Sequence, residues 1–188
     1  MLESLVATTP RLVLRPVIED DARATAELVT IDVSESLLTW PYPMSTEQVI
    51  ERVRKAHERI ERRQAVNWAI LRKEDQQLLG WLVIARVRAR LGSIGYWLGS
   101  QFRGEGYMRE AASHAIAIGS DYLSLEAIRA DVFPNNKASI AVLEALGFRR
   151  CGLRRVTSVQ TGKQETVSRY RLELATEVPA PGLRKMAP

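Results

Sequence analysis

The sequence predicts an α+β fold in which a mixed sheet carries helices on its faces. Two observations carry that prediction. Strand-like runs succeed one another through the first half of the chain, and the second half then turns to strand, helix, strand, an order that needs a crossover helix. A glycine-containing turn, Arg103-Gly104-Glu105-Gly106, stands directly between a strand-like run and a helix-like run.

Arg11 to Pro16 alternates polar and apolar residues as a half-buried strand does, and Pro16 stops its ladder. Asp20 and Asp21 offer an N-cap to a helix running to about Val29. Two prolines one residue apart make Thr39-Trp40-Pro41-Tyr42-Pro43 a loop, because they break either regular structure. Ser45 or Thr46, followed by Glu47, opens a second helix that reaches about Arg63 and is heavily charged on its outer face. Runs over 67–71 and 78–85 flank the polar Lys73-Glu74-Asp75-Gln76-Gln77 as a hairpin does, and 93–98 is a further strand. From about Tyr107 to Tyr122, the residues Met108, Ala111, Ala112, Ala115, Ile116 and Gly119 recur at helical spacing. They make one apolar face whose small residues allow close packing on a sheet. Ala127 to Val132 is a short strand. Pro134 and Asn135-Asn136 start a helix that carries Ile140, Leu143 and Leu146 inward. Gly147 suits the left-handed position that ends it, and Phe148 folds back onto its last turn. Runs near 149–159 and 166–174, turned at Thr161-Gly162-Lys163, close the fold as a hairpin.

A chain of 188 residues suffices for one domain with a sizeable core and is short for two. We expect a single domain over residues 1–175 and a loose tail, rich in proline and alanine, over 176–188. With 46% hydrophobic and 26% charged residues, disordered and collagen-like classes are excluded. No apolar run is long enough to span a bilayer, and no basic segment followed by a long apolar one opens the chain. The expectation is a cytoplasmic protein without membrane contact. Cys151 is the single cysteine, and His57 and His114 are the only histidines, which rules out an intrachain disulfide and a multi-cysteine metal site. We expect no metal. A net charge of +5 suits nucleic acid and a polyanionic cofactor equally.

A glycine turn that opens a helix leaves backbone N–H groups unpaired beside the positive end of the helix dipole, which makes a cradle for phosphate. The chain adds Asn136-Lys137-Ala138-Ser139 at the start of the next helix and Leu146-Gly147-Phe148 at its end. Taken in order, these motifs resemble those of the Gcn5-related N-acetyltransferase (GNAT) superfamily. Thr9-Pro10-Arg11-Leu12-Val13-Leu14-Arg15-Pro16 and Ile94-Gly95-Tyr96-Trp97-Leu98-Gly99 are similar to two strands of its RimJ/RimL branch, so the resemblance covers nearly the whole chain. It implies a mostly antiparallel central sheet flanked by helices, with a splayed parallel pair at the cofactor site. Superfamily members carry Gln or Arg, two residues, Gly, one residue, then Gly or Ala. Arg103 and Gly106 fit this register, with Met108 where Gly or Ala is usual. Gln101 to Gly106 fits the bare pattern too, but starts the helix late.

The resemblance implies acetyl-CoA as donor and direct attack by a primary amine through a tetrahedral intermediate. After Arg103, backbone N–H groups of Gly104, Glu105, Gly106, Tyr107, Met108 and Arg109 would hold the pyrophosphate. The strand edge at Tyr96, Trp97 and Leu98 would pair with the pantetheine arm like an added strand, and a main-chain N–H near Leu98 would face the oxyanion. Asn136 matches the family's asparagine on that arm and reads equally as a helix N-cap. Many members place a tyrosine acid four residues before the Gly of the Gly-Phe pair, and Leu143 stands there instead. Ser139 matches a serine of the branch and is the candidate acid, unless it only caps backbone. Asp131 and Glu165 are the candidate bases, with pairing to an arginine as the other reading of Asp131. Ser93 stands where many relatives have a glutamate, which leaves part of the deprotonation to water. Trp40, Tyr42 and Trp97 are candidate walls of the acceptor pocket. Arg86, Arg88 and Arg90 alternate as along a solvated strand edge, and His114 reads as a surface residue.

The leading function is acetyl transfer to a protein N-terminus, such as that of a ribosomal protein, or to a small amine such as an antibiotic or polyamine. A non-catalytic acyl-CoA sensor or interaction module is the alternative, favoured by Leu143 and Ser93. An RNA-associated protein ranks last, because no aromatic-studded RNA motif is present, and direct nucleic-acid binding is not expected. The branch also implies a homodimer.

Overall fold

The computed structural model describes residues 3–158 and 162–174. Period-two alternation gives each strand one side chain set per sheet face. Thus Trp68, Ile70, Leu82 and Ile84 join one core, while Ala69, Leu71, Trp81 and Trp97 join another. The strands are β1 (Ala7–Thr8), β2 (Leu12–Pro16), β3 (Ala65–Arg72), β4 (Leu78–Arg88), β5 (Leu91–Leu98), β6 (Ala127–Val132), β7 (Arg149–Thr157) and β8 (Gln164–Glu173). They form one sheet in the order β1-β2-β3-β4-β5-β6-β8-β7. Among the described residues only β5 and β6 pair in parallel, and every other neighbouring pair is antiparallel.

Helices α1 (Ala22–Leu28), α2 (Ile31–Glu35) and α3 (Thr46–Glu61) supply the second core, and α4 (Tyr107–Leu123) the first. The apolar face expected of α4 is present, with Met108, Ala111, Ala112, Ala115 and Ile116 all buried. Helix α5 (Lys137–Ala145) buries Leu143 and ends as its sequence implies. Gly147 adopts φ +86°, its N–H reaches the Glu144 carbonyl, and the Phe148 N–H reaches that of Leu143. This double bond pattern satisfies carbonyls that the last helical turn leaves open.

Two local expectations are corrected and two features are added. Asp21 precedes α1 but does not cap it, because its carboxylate takes both Arg15 guanidinium nitrogens at 2.7 and 2.8 Å and the Ile18 N–H. Ser45 caps α3 as expected, and Gln48 completes the reciprocal cap by accepting the Ser45 N–H. Helix α2 had no counterpart in the sequence reading. Arg90 lies beyond the end of β4, so it does not share a strand with Arg86 and Arg88. Of the closing hairpin's turn, Thr161 lies outside the described residues, as does the tail from Thr176.

The parallel pair determines where a ligand can enter. β5 and β6 are in register only from Leu91 to Ser93, opposite Ala127 to Arg129. From Ile94 to Leu98, β5 keeps β4 on one edge and has no pairing with β6 on the other. On the β4 side Leu79 is an extra residue, since Ile70 pairs with Gly80 and Leu71 with Leu78. Such a bulge bends its strand. At Gly80 the approach of β5 is so close that a Cβ would stand 2.1 Å from the Trp97 carbonyl oxygen.

Candidate active site

Two clefts meet beside the gap. The first, of about 680 Å³, is lined by Tyr96, Trp97, Leu98, Arg103, Gly104, Gly106, Tyr107, Met108 and Arg109, and across from them by Asn136 and Ser139. Glu105 is the one residue of the glycine turn that does not line it. Left-handed backbone at Gly104 (φ +87°) and Gly106 (φ +76°) folds the turn, and α4 begins at Tyr107 as the Arg103 register requires. The first helical bond runs from the Glu110 N–H to the Gly106 carbonyl, which leaves the N–H groups of Tyr107, Met108 and Arg109 without helical partners. A Cβ at Gly104 would meet no atom within 4 Å. The turn therefore presents bare backbone and a helix dipole to the cleft, a fit for a pyrophosphate.

The turn is held from outside. Arg11 donates to the Glu105 carbonyl at 2.9 Å, pairs with the Glu110 carboxylate at 2.7 Å and lies over the Tyr107 ring. Glu110 also accepts from Thr9 Oγ1 and the Arg11 N–H. Burial opposes its charge, yet these donors outweigh burial and hold its carboxyl below the ordinary value.

Along β5 successive peptide groups point to opposite edges. The Gly99 N–H donates to the Leu79 carbonyl on the β4 side, so the peptide groups of Leu98 and Tyr96 face the gap. Arg103 Nε donates to the Leu98 carbonyl at 3.3 Å. Across the gap, Asn136 caps α5 by accepting the Ser139 N–H at 3.0 Å. Ser139 Oγ donates to the Tyr96 hydroxyl at 3.0 Å, and that hydroxyl donates to the Ser139 carbonyl at 3.2 Å. Burial pushes the Tyr96 phenol up to about 12, against a smaller downward pull from Ser139. Tyr96 is thus a proton donor at neutral pH. Leu143, where a tyrosine acid was absent, is 1% exposed in the core.

The second cleft, of about 580 Å³, shares Ser36, Leu37, Tyr96 and Trp97 with the first. Trp40 packs edge-on against Trp81 and Trp97, with ring centroids 5.2 Å away in each case. All three tryptophans line this cleft. Tyr42 is 44% exposed and lines neither cleft, and Glu165, opposite Val156 on β8, lines neither. Asp131 does line the second cleft. It accepts from Arg154 at 2.9 Å and from Arg169 at 2.8 and 3.1 Å. Burial opposes the charge of Asp131, but the two guanidinium groups hold its carboxyl below the ordinary value. A carboxylate so held is a poor acceptor of a further proton.

Sequence reasoning missed Asp32, Glu35, Ser36 and Leu37, which line the first cleft. It also missed Trp81. Helix α2 is only five residues long, too short for a helical period to show. Among the described residues no group of three or more His, Cys, Asp or Glu side chains is placed to hold a metal ion. No helix there is long and apolar enough to cross a membrane.

Residues 11–149 match the family described as acetyltransferase (GNAT) domain. The chain is 26% identical to an uncharacterized N-acetyltransferase, YoaA, of Bacillus subtilis (strain 168), over 84% of this chain and 90% of that one. Its fold superposes on RimL, a ribosomal L7/L12 alpha-N-protein acetyltransferase solved with coenzyme A, with a TM-score of 0.79 and 22% identity. That match covers 90% of this chain and 98% of the other. Mycobacterium smegmatis RimJ, solved with CoA-disulfide, gives a TM-score of 0.77 at 22% identity over 89% and 86% of the two chains.

Proposed function

The chain belongs to the acetyltransferase (GNAT) domain family, and from that premise we propose that it moves the acetyl group of acetyl-CoA to a primary amine by direct attack. The observation that carries this reading is the meeting of the two clefts at Tyr96 and Trp97, where β5 has lost its pairing with β6. The first cleft takes the donor and the second the acceptor. Acetyl-CoA supplies a thioester.

The chain's own residues bind, orient and move protons. The free N–H groups of Tyr107, Met108 and Arg109 hold the pyrophosphate, and the open β5 edge pairs with the pantetheine amides. Asn136 keeps its Oδ1 on α5 and offers its amide nitrogen to the same arm. The Leu98 N–H, facing the gap, donates to the oxygen on which negative charge gathers. Ser139 Oγ gives to the leaving sulfur the proton it otherwise donates to Tyr96, and the neutral Tyr96 hydroxyl, turning from the Ser139 carbonyl, restores it. The proton lost by the amine passes to water and returns to this pair, because Asp131 is bound too tightly to two arginines to accept it. Glu165 takes no part. Trp40 and Trp97 wall the acceptor, which is a protein N-terminus or a small amine.

The deciding experiment follows thiol release from acetyl-CoA against peptides with varied N-termini and small amines, with donor binding measured by calorimetry alongside. Release that depends on an acceptor is the expected result. The second reading, an acyl-CoA sensor, draws on Leu143 in place of the tyrosine acid, and tight donor binding without release on any acceptor would favour it.

A further inference from the structure

The second cleft is cationic without a matching set of acids. Helix α3 brings Arg52, Lys55 and Arg59 to its lining, β6 adds Arg129 and β7 adds Arg154. Against these five stands the single carboxylate of Asp131. Arg154 is committed to Asp131, and Lys55 pairs with Glu51 within the helix. Arg52, Arg59 and Arg129 are half-buried and form no ion pair with a carboxylate among the described residues. Arg52 donates to the Thr39 carbonyl at 2.7 Å and lies 4.7 Å over the Trp40 ring, which orients its guanidinium without neutralising it. Burial pulls the pKa of Arg52 down, and at Arg129 burial with the repulsion of Arg169, Arg154 and Arg88 outweighs the attraction of Asp131.

Withdrawing a guanidinium from water without a counter-charge is costly. Arg52 and Arg59 lie in this concave face with no carboxylate partner, and Arg129 shares Asp131 with two other arginines, which makes the face complementary to an anion. The same cleft has two buried side-chain atoms with no hydrogen-bond partner, Trp97 Nε1 and Asn67 Oδ1, on residues that line it. Trp97 is 5% exposed.

Resting on the assignment of this cleft to the acceptor, we propose that the acceptor is anionic: a primary amine with carboxylate or phosphate groups close to the reacting nitrogen. An acidic peptide N-terminus and a small amino acid or aminoalkyl phosphate share that chemistry. The anion is drawn to Arg52, Arg59 and Arg129. Polyamines and aminoglycosides meet like charge in the same cleft and are rejected.

The test pairs turnover with binding. Thiol release is measured with peptides that differ only in having Asp-Glu, Ala-Ala or Lys-Lys after the first residue, with aminoalkyl phosphates and simple amino acids, and with spermidine. In parallel, binding of the N-acetylated peptides to the CoA-loaded protein is measured by calorimetry at two salt concentrations. Acidic peptides or small anionic amines should lead by about tenfold or more in kcat/KM and in product affinity, the lead shrinking at high salt. Leadership by the peptides or by the small amines tells the two sources apart. Arg52→Gln with Arg129→Gln should remove the lead while acetyl-CoA affinity stays, and Arg62→Gln, outside the cleft, should keep it. If no acceptor turns over but acidic products still bind preferentially, the charge assignment stands and the transferase reading falls. Equal binding across the three peptides with no lead of the small anionic amines, or preferred turnover of spermidine, overturns the proposal.

Discussion

At Gly106 the backbone sits at φ +76°, and a Cβ there would point to within 3.6 Å of the Arg11 guanidinium. A β-branched residue is strained in that region and distorts the turn whose bare N–H groups are proposed to hold the pyrophosphate. Gly106→Val should therefore lose acetyl-CoA binding in calorimetry while remaining folded by circular dichroism, and undiminished affinity in a folded variant would remove the donor assignment. Ser139 sits between two partners, the Asn136 cap through its N–H and the Tyr96 hydroxyl through its Oγ. Only the second is lost in Ser139→Ala, so donor affinity should persist while the chemical step slows about 100-fold. Single-turnover kinetics measure this, and an unaltered step would take Ser139 out of the mechanism. Gly106, Asn136 and Ser139 were legible in the sequence because caps and glycine turns are local properties, decided within a few residues. Arg52 and Arg59 were not. A charged helix face has the same pattern whether water or a cleft lies in front of it, and only the fold brings Trp40 beneath Arg52.

Strands and long helices were readable wherever period and end signals coincided. Helix α5 shows this best, with Asn136 before it and Gly147 after it. Asp20 and Asp21 misled because a carboxylate before a helix has more than one possible donor, and the β2 residue Arg15 supplies a charged one. The β4–β5 seam was legible as pairing but not in its tightness. Gly80 admits β5 to a separation that no side chain permits, beside the bulge at Leu79. Gly80→Ala must push Trp97 and Leu98 away, with loss of about 3 kcal/mol by the scale of overpacked cores. Chemical denaturation should show that loss, together with a fall in turnover that Arg62→Gln, outside both clefts, does not share. A variant with wild-type stability and rate would mean that the seam yields without cost.

For the molecule as a whole, the order of strands and helices was enough to fix a mixed sheet with two covered faces. The splay of β5 from β6 came only through resemblance, since nothing in the apolar alternation of Ile94 to Leu98 reports that a neighbour is missing. Asp131 ties three strands together, accepting from Arg154 on β7 and Arg169 on β8. Its folded pKa is depressed, so the stability it contributes is complete above its unfolded pKa of about 3.9 and fades as pH falls through the lower folded value. Asp131→Asn should therefore be less stable than the wild type near neutrality, with the gap closing in acid. Urea titrations across that range check it, and a gap that widens in acid would reverse the sign. The lining that the two clefts share at Ser36, Leu37, Tyr96 and Trp97 has a kinetic corollary. Under the proposed direct attack neither ligand finishes its work before the other arrives, and the lone thiol, Cys151, is exposed on β7 and lines neither cleft, so it is not placed to carry the acetyl group between them. Double-reciprocal plots should intersect, as a ternary complex demands, and parallel lines would mean a covalent relay through some other side chain.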